Sequence, residues 1–133
     1  MKVIVDTSVW SLALRRQQQP NDSLANRLRD LIIDGRVVIL GAVRQELLSG
    51  IKRQEQFKKL RENFRAFPNL LLDVEDYELA ADYFNICRRN GIQGANTDFL
   101  ICATASRRNY EIFTTDKDFI NFSQYLPIVL TKL

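Results

Sequence analysis

The sequence predicts an α/β fold in which a mainly parallel sheet is covered by helices on both faces. Short β-branched runs alternate along the chain with longer stretches of helical periodicity, the pattern of strand–helix–strand units. The first run, "KVIV", reads as a buried strand, and "VVIL" and "EIFTT" repeat its character further on. No repeat, low-complexity tract or linker divides the 133 residues, so one domain over residues 1–133 is expected.

The elements follow in order. After "KVIV", Val9 to Arg15 has helical spacing, and Gln17-Gln18-Gln19-Pro20 reads as a loop. Asn21-Asp22-Ser23 offers N-caps to a helix carrying Leu24, Leu28, Leu31 and Ile32, which Asp34-Gly35 ends. "VVIL" (Val37 to Leu40) is the second strand, followed by a helix from about Ala42 to Leu48 that breaks near Gly50. The next helix, about Ile51 to Phe67, aligns Phe57, Leu60, Phe64 and Phe67 on one stripe before Pro68-Asn69 stops it. "LLLDV" reads as a short strand, and a long helix from about Asp76 to Asn90 places Leu79, Ala80, Tyr83, Phe84 and Cys87 on its apolar side. In "NGIQGANTD", two glycines and a capping Asn or Thr precede a helix from about Asp98 to Arg107. "EIFTT", a turn of helix from Lys117 to Asn121, and a last strand, "PIVLT", complete the chain.

Composition narrows the chemistry. Apolar residues make up 46% and charged residues 26%, as in a soluble globular domain, and no apolar run approaches the ~20 residues of a membrane helix. The apolar opening is broken at Asp6, unlike a signal peptide, so the expected location is the cytoplasm. Cys87 and Cys102 sit in apolar helical patterns and read as reduced packing residues. Histidine is absent, which excludes histidine acid–base catalysis, a Ser-His-Asp arrangement and His-bound zinc. Carboxylates, hydroxyls, amides and basic side chains remain. A net charge of +3 is compatible with an anionic partner but is too small to establish one.

Acids lie where an open parallel sheet binds ligands, beyond the carboxyl ends of its strands. Asp6 directly follows the first strand, Glu46 lies one turn into the helix after "VVIL", and Asp98 begins the helix after the glycine loop. Asp116 directly follows "EIFTT", with Asp118 two residues further on. Carboxylates about 5 Å apart repel by roughly 3 kcal/mol per pair at an effective dielectric of ~20. A cluster of four therefore calls for a cation or for protonation. An all-oxygen donor set selects a hard ion, Mg²⁺ or Mn²⁺, suited to phosphodiester hydrolysis. Each acid also has an ordinary structural role. Asp98 can complement a helix dipole, Asp116 or Asp118 can cap a turn, and Glu46 can be a solvated helix residue. Spacing alone leaves both readings open.

Taken together, "VDTSVW", "RQELLSG", "NTDFLICATA" and "TTDKDF" resemble the PIN-domain family, in particular the VapC-type ribonuclease toxins of toxin–antitoxin pairs. The resemblance spans essentially the whole chain. It implies a three-layer α/β/α sandwich and an Mg²⁺ or Mn²⁺ site. Asp6, Glu46, Asp98 and Asp116 match the family's acidic quartet, and Asp118 matches an additional or substitute ligand. Thr7, Ser8, Asn96 and Thr114 lie beside the acids as candidates for orienting ligands or waters. The resemblance further implies cleavage of RNA (transfer RNA among the structured substrates), inhibition by a cognate VapB-like antitoxin, and a homodimer.

Basic residues suggest where partners bind. "IKRQEQFKKLRENFRAF" carries Lys52, Arg53, Lys58, Lys59, Arg61 and Arg65, either as a solvated face or as the border of a groove for antitoxin or RNA. Arg88-Arg89 and Arg107-Arg108 are candidate phosphate contacts that would equally complement helix C-termini. A different class of function, a non-catalytic Mg²⁺-binding module of the receiver type, would use Asp73 of "LLLD" as phosphoacceptor, but no Lys sits convincingly after the last strand. A haloacid dehalogenase-type phosphatase would need an Asp two residues after Asp6, where Ser8 stands.

Overall fold

A computed structural model describes residues 1–16 and 22–132; the Gln17–Pro20 loop and the candidate cap Asn21 lie outside the described residues. The chain folds as a three-layer α/β/α sandwich. Among the described residues, three parallel strands form its centre: β1 (Val3–Val5), β2 (Val37–Val38) and β3 (Glu111–Phe113), in the order β2-β1-β3. Val3 and Ile4 of β1 face Val37 and Val38 on one side, and Val3, Ile4 and Val5 face Glu111, Ile112 and Phe113 on the other. Val3, Ile4 and Val5 have no solvent exposure, because helices cover both faces of the sheet.

The helices are α1 (Thr7–Arg16), α2 (Ser23–Ile33), α3 (Gly41–Ser49), α4 (Gln54–Phe64), α5 (Val74–Arg89), α6 (Asn96–Arg108) and α7 (Asp118–Ser123). Asp22 caps α2 by accepting from the Ala25 N–H at 2.9 Å, and Leu24, Leu28 and Leu31 turn inward. Gly35, at φ +70°, supplies the left-handed turn that releases the chain into β2. The predicted aromatic stripe of α4 holds: Leu60 and Phe64 are buried, and Trp10 of α1 meets the Phe64 and Phe67 rings edge-on at 4.9 and 5.9 Å. α6 packs directly on β1 and β3, with α5 stacked against it. Cys87 and Cys102 are buried free thiols whose pKa values are pushed up by burial, as expected of packing residues.

One predicted strand is lost and another shrinks to a single bridge. "LLLDV" is not a strand: the residue before it, Asn69, bridges to Ile39, and Asp73 becomes the N-cap of α5. The Asp76 N–H donates to Asp73 Oδ1 (3.1 Å) and the Asp73 N–H donates to Asp76 Oδ2 (3.0 Å), so the helix begins at Val74 rather than Asp76. "PIVLT" contributes one bridge, Leu130 to Ile112, at the opposite edge. There Ile112 donates to Val129 O (2.9 Å) and accepts from the Thr131 N–H (2.8 Å). Among the described residues, no helix is long and apolar enough to cross a membrane.

Candidate metal and catalytic site

The carboxyl ends of β1 and β3 meet directly, since the Asp6 N–H donates to Phe113 O at 2.9 Å. Asp6 is thereby delivered to the sheet edge with only 6% exposure, and its carbonyl starts α1 by accepting from the Val9 N–H. The two hydroxyls of "DTS" separate in function. Ser8 Oγ turns back and donates to Asp6 Oδ2 at 2.8 Å, whereas Thr7 Oγ1 reaches across to α3 and donates to Glu46 Oε1 at 2.8 Å. Glu46 is otherwise an exposed helix residue, so this hydroxyl is what joins it to the site.

Thr114, the residue after β3, links the two strand ends. Its Oγ1 donates to Asp6 Oδ2 (2.8 Å) and accepts from the Asp116 N–H (3.0 Å), and it lies 3.3 Å from Ser8 Oγ. Ser8 Oγ in turn accepts from the Thr115 N–H at 3.1 Å. Asp116 is thus held by its backbone, and its Oδ1 accepts from the Asp118 N–H at 2.9 Å. The side chain of Asp118 itself is exposed at the start of α7; only its backbone amide reaches the group.

Asp98 arrives on α6. The N-cap is Ala95 rather than the expected Asn or Thr, so Asn96 and Thr97 already belong to the first turn. Ala95 has no side-chain acceptor. Asp98 Oδ2 instead accepts from the Ala95 N–H at 2.9 Å, the first-turn role its position allowed. The preceding loop is fixed by packing. A Cβ on Gly94 would lie 2.6 Å from Phe122 Cζ and 3.0 Å from the Phe99 ring, so only glycine lets the loop close on that aromatic cluster. Phe99 and Phe122, with ring centroids 4.8 Å apart, thereby set where α6 begins.

Electrostatics show that the four acids share a region. The Asp98 carboxyl is pushed up to about 6, first by burial, with the charges of Asp6, Asp116 and Glu46 adding to it. The Ala95 N–H opposes this shift without cancelling it. Among the described residues, no three acids stand in a ready-made metal-ligating arrangement. Asp6 Oδ2, Asp98 Oδ2, Asp116 Oδ1 and Glu46 Oε1 are each committed to a hydrogen bond. The second oxygen of each carboxylate remains to receive a cation. An all-oxygen set of this kind fits a hard divalent ion.

The other predicted contacts divide. Arg107 and Arg108 are not free for phosphate. Arg107 Nη1 donates to Asp73 Oδ1 and Asp76 Oδ1 at 2.8 and 2.7 Å, and its Nη2 to Glu75 Oε2 at 2.8 Å. Arg108 grips the buried Asp76 carboxylate at both oxygens, at 2.7 and 2.9 Å. Sequence position suggested helix-end cations; the contacts staple the end of α6 to the start of α5. Arg88 lies over the Phe84 ring at 5.6 Å and donates to Asn85 Oδ1 at 2.9 Å. Lys52, Arg53, Lys58, Lys59 and Arg65 are exposed, while Arg61 is half-buried over the Phe57 ring at 5.8 Å. Sequence reasoning missed Arg44. Its guanidinium leaves α3 to donate to Asn69 Oδ1, Phe64 O and Phe67 O, capping the C-terminal end of α4.

A family model described as PIN domain matches residues 3–124, nearly the whole chain. The chain belongs to the PIN domain family. Solved structures agree in fold. VapBC2 from Rickettsia felis, bound to a DNA fragment from its promoter, superposes with a TM-score of 0.79 at 20% identity, covering 100% of this chain and 99% of that one. FitAcB from Neisseria gonorrhoeae gives 0.75 at 22% identity, with 97% and 96% covered. DNA-bound VapBC from Salmonella typhimurium gives 0.76 at 18% identity, with 99% and 97% covered. Among curated proteins no match was found. In this PIN domain Asp6 and Asp116 follow the carboxyl ends of β1 and β3, while Glu46 and Asp98 come from α3 and α6.

Proposed function

We propose that this PIN domain is a metal-dependent endoribonuclease, the toxin of a VapBC-like pair. The observation that carries this is the hydrogen-bonded edge of the sheet, where Ser8 and Thr114 tie Asp6 to the Asp116 turn and Thr7 ties Glu46 to the same strand end. Asp6, Asp98, Asp116 and Glu46 would hold Mg²⁺ or Mn²⁺ through their uncommitted oxygens. Such an ion supplies a nucleophile at neutral pH and charge stabilisation for phosphoryl transfer.

The chain's own residues do the rest. Ser8 and Thr114 lock Asp6 through one oxygen, leaving the other to face the site. Thr7 fixes the long side chain of Glu46, and Thr114 holds the Asp116 backbone in register with Asp6. These hydrogen bonds restrict the acids beforehand, so drawing them onto a cation costs less side-chain freedom than it would for unheld carboxylates. The exposed cations Lys52, Arg53, Lys58 and Lys59 and the half-buried Arg61 offer RNA phosphates or an acidic antitoxin segment a docking edge.

The VapBC structures that share its fold support restraint by a VapB-like antitoxin. The chain is further proposed to act as a homodimer in the cytoplasm. The receiver-type alternative loses its phosphoacceptor, since Asp73 caps α5 and pairs with Arg107.

The test is RNA cleavage with Mg²⁺ or Mn²⁺, using EDTA and Asp6→Asn as controls. Cleavage abolished by both supports the proposal, and cleavage that survives both refutes it.

A further inference from the structure

A cavity of about 510 Å³ opens between α3, α5 and α6. Tyr77, Ala81 and Phe84 of α5 form its apolar wall, and Asn85 and Asn96 sit at its rim. A second concavity of about 550 Å³ contains Thr7, Gln45 and Glu46, on the acid site itself. Ala42 and Thr97 line both, so the two adjoin. Asn96 and Thr97 are the residues immediately before Asp98, which ties the cavity to the candidate catalytic acids.

We infer that this cavity receives a base of single-stranded RNA beside the phosphodiester held at the acids. This deepens the nuclease proposal and rests on it. The chemistry matches a base more closely than an aliphatic side chain. Half-exposed aromatic faces suit stacking, and amides suit the edge of a base. Arg88 donates to Asn85 Oδ1, which fixes that amide and leaves its Nδ2–H₂ donors uncommitted. The Asn96 side chain and the Tyr77 hydroxyl make no hydrogen bond among the described residues, so both are available to a ligand. Tyr77 is 57% exposed, and its ring is free to close over a base entering from solvent.

The experiment compares wild type with Tyr77→Ala and Asn85→Ala. Each cleaves a pool of random-sequence RNA with Mn²⁺, and the cut positions are sequenced. The wild type is expected to prefer particular bases at one position flanking the cut, and both variants to flatten that preference. Removing the base at that position should slow wild-type cleavage roughly 5- to 150-fold, the range for losing one stacked base. Identical base profiles in wild type and variants overturn the inference. So does a profile that stays unchanged while the variants fall from dimer to monomer by light scattering, because a second copy then covers the cavity. If the wild type cuts nothing, the nuclease proposal fails separately. The cavity is then judged by binding of intact against abasic oligoribonucleotides to the wild-type protein. Tighter binding of the intact strand, lost in Tyr77→Ala, supports the inference, and equal binding overturns it.

Discussion

Replacing Asp98 by Asn tests whether burial and the neighbouring acids make an ionised Asp98 costly to the fold. The carboxyl sits at about 6 against an ordinary 3.8, a rise of about two units. At 1.36 kcal/mol per unit, ionised Asp98 costs the fold about 3 kcal/mol. Asn retains an acceptor for the Ala95 N–H but loses a charge at the N-terminus of α6, which offsets about 0.5–1 kcal/mol. Asp98 also keeps some contact with solvent, which trims the gain further. In EDTA at about pH 7.5 the variant should therefore be more stable by about 1–2 kcal/mol, a Tm rise of roughly 4–8 °C for a domain of this size.

The sign with pH is definite. The folded pKa lies above the unfolded one, so the wild type is penalised fully above about pH 6 and not below about pH 4, and the advantage of Asn should vanish in acid. Added Mg²⁺ or Mn²⁺ should reverse the order, because only the wild type gains full binding stabilisation. Differential scanning calorimetry with and without EDTA reads both effects. A variant no more stable than wild type in EDTA at neutral pH would refute the raised carboxyl of Asp98.

Three further outcomes follow from the contacts. Asp76→Asn leaves the Arg107 and Arg108 guanidinium groups without their buried carboxylate and should cost about 3–5 kcal/mol by urea unfolding. Chiefly through the Arg108 hydrogen bond, Asp76 is held well below the usual carboxylate range. It therefore stabilises the fold above about pH 4, and wild-type stability should fall as pH drops below that, more steeply than in the variant. Gly94→Ala drives a methyl into Phe122 and should destabilise by about 1–3 kcal/mol, with a loss of cleavage from displacing the start of α6. Thr114→Val removes the donor to Asp6 and the acceptor for the Asp116 N–H; the Mn²⁺ concentration for half-maximal cleavage should rise several-fold while RNA affinity holds.

The acid site was legible because its chemistry is written next to strand ends. Asp6 follows Val3–Val5 and Asp116 follows Glu111–Phe113 closely, so once the strands are found the acids are placed. The helix stripes were equally plain, since Leu24, Leu28 and Leu31, or Leu60 and Phe64, repeat at a period that burial enforces. Edge segments were not. "LLLDV" and "PIVLT" have strand composition, but composition records only a preference for a pleated, half-buried surface. The capping pair Asp73–Asp76 claimed the end of the first for a helix. Asp98 showed both of its readings at once, bonding Ala95 as a helix acid while facing the charges of the other three.

By itself the sequence determined the α/β class and the exclusion of histidine chemistry, and it put forward four acids as candidates, because each depends on residue type and short-range order. Tertiary structure decided the partners. Whether an arginine at the end of a helix meets solvent, phosphate or Asp76 depends on what packs beside it, and periodicity carries no such information. The same holds for Thr7. Only the fold brings its hydroxyl within 2.8 Å of Glu46, because hydrogen bonds act over a few ångströms between residues that the chain separates by many.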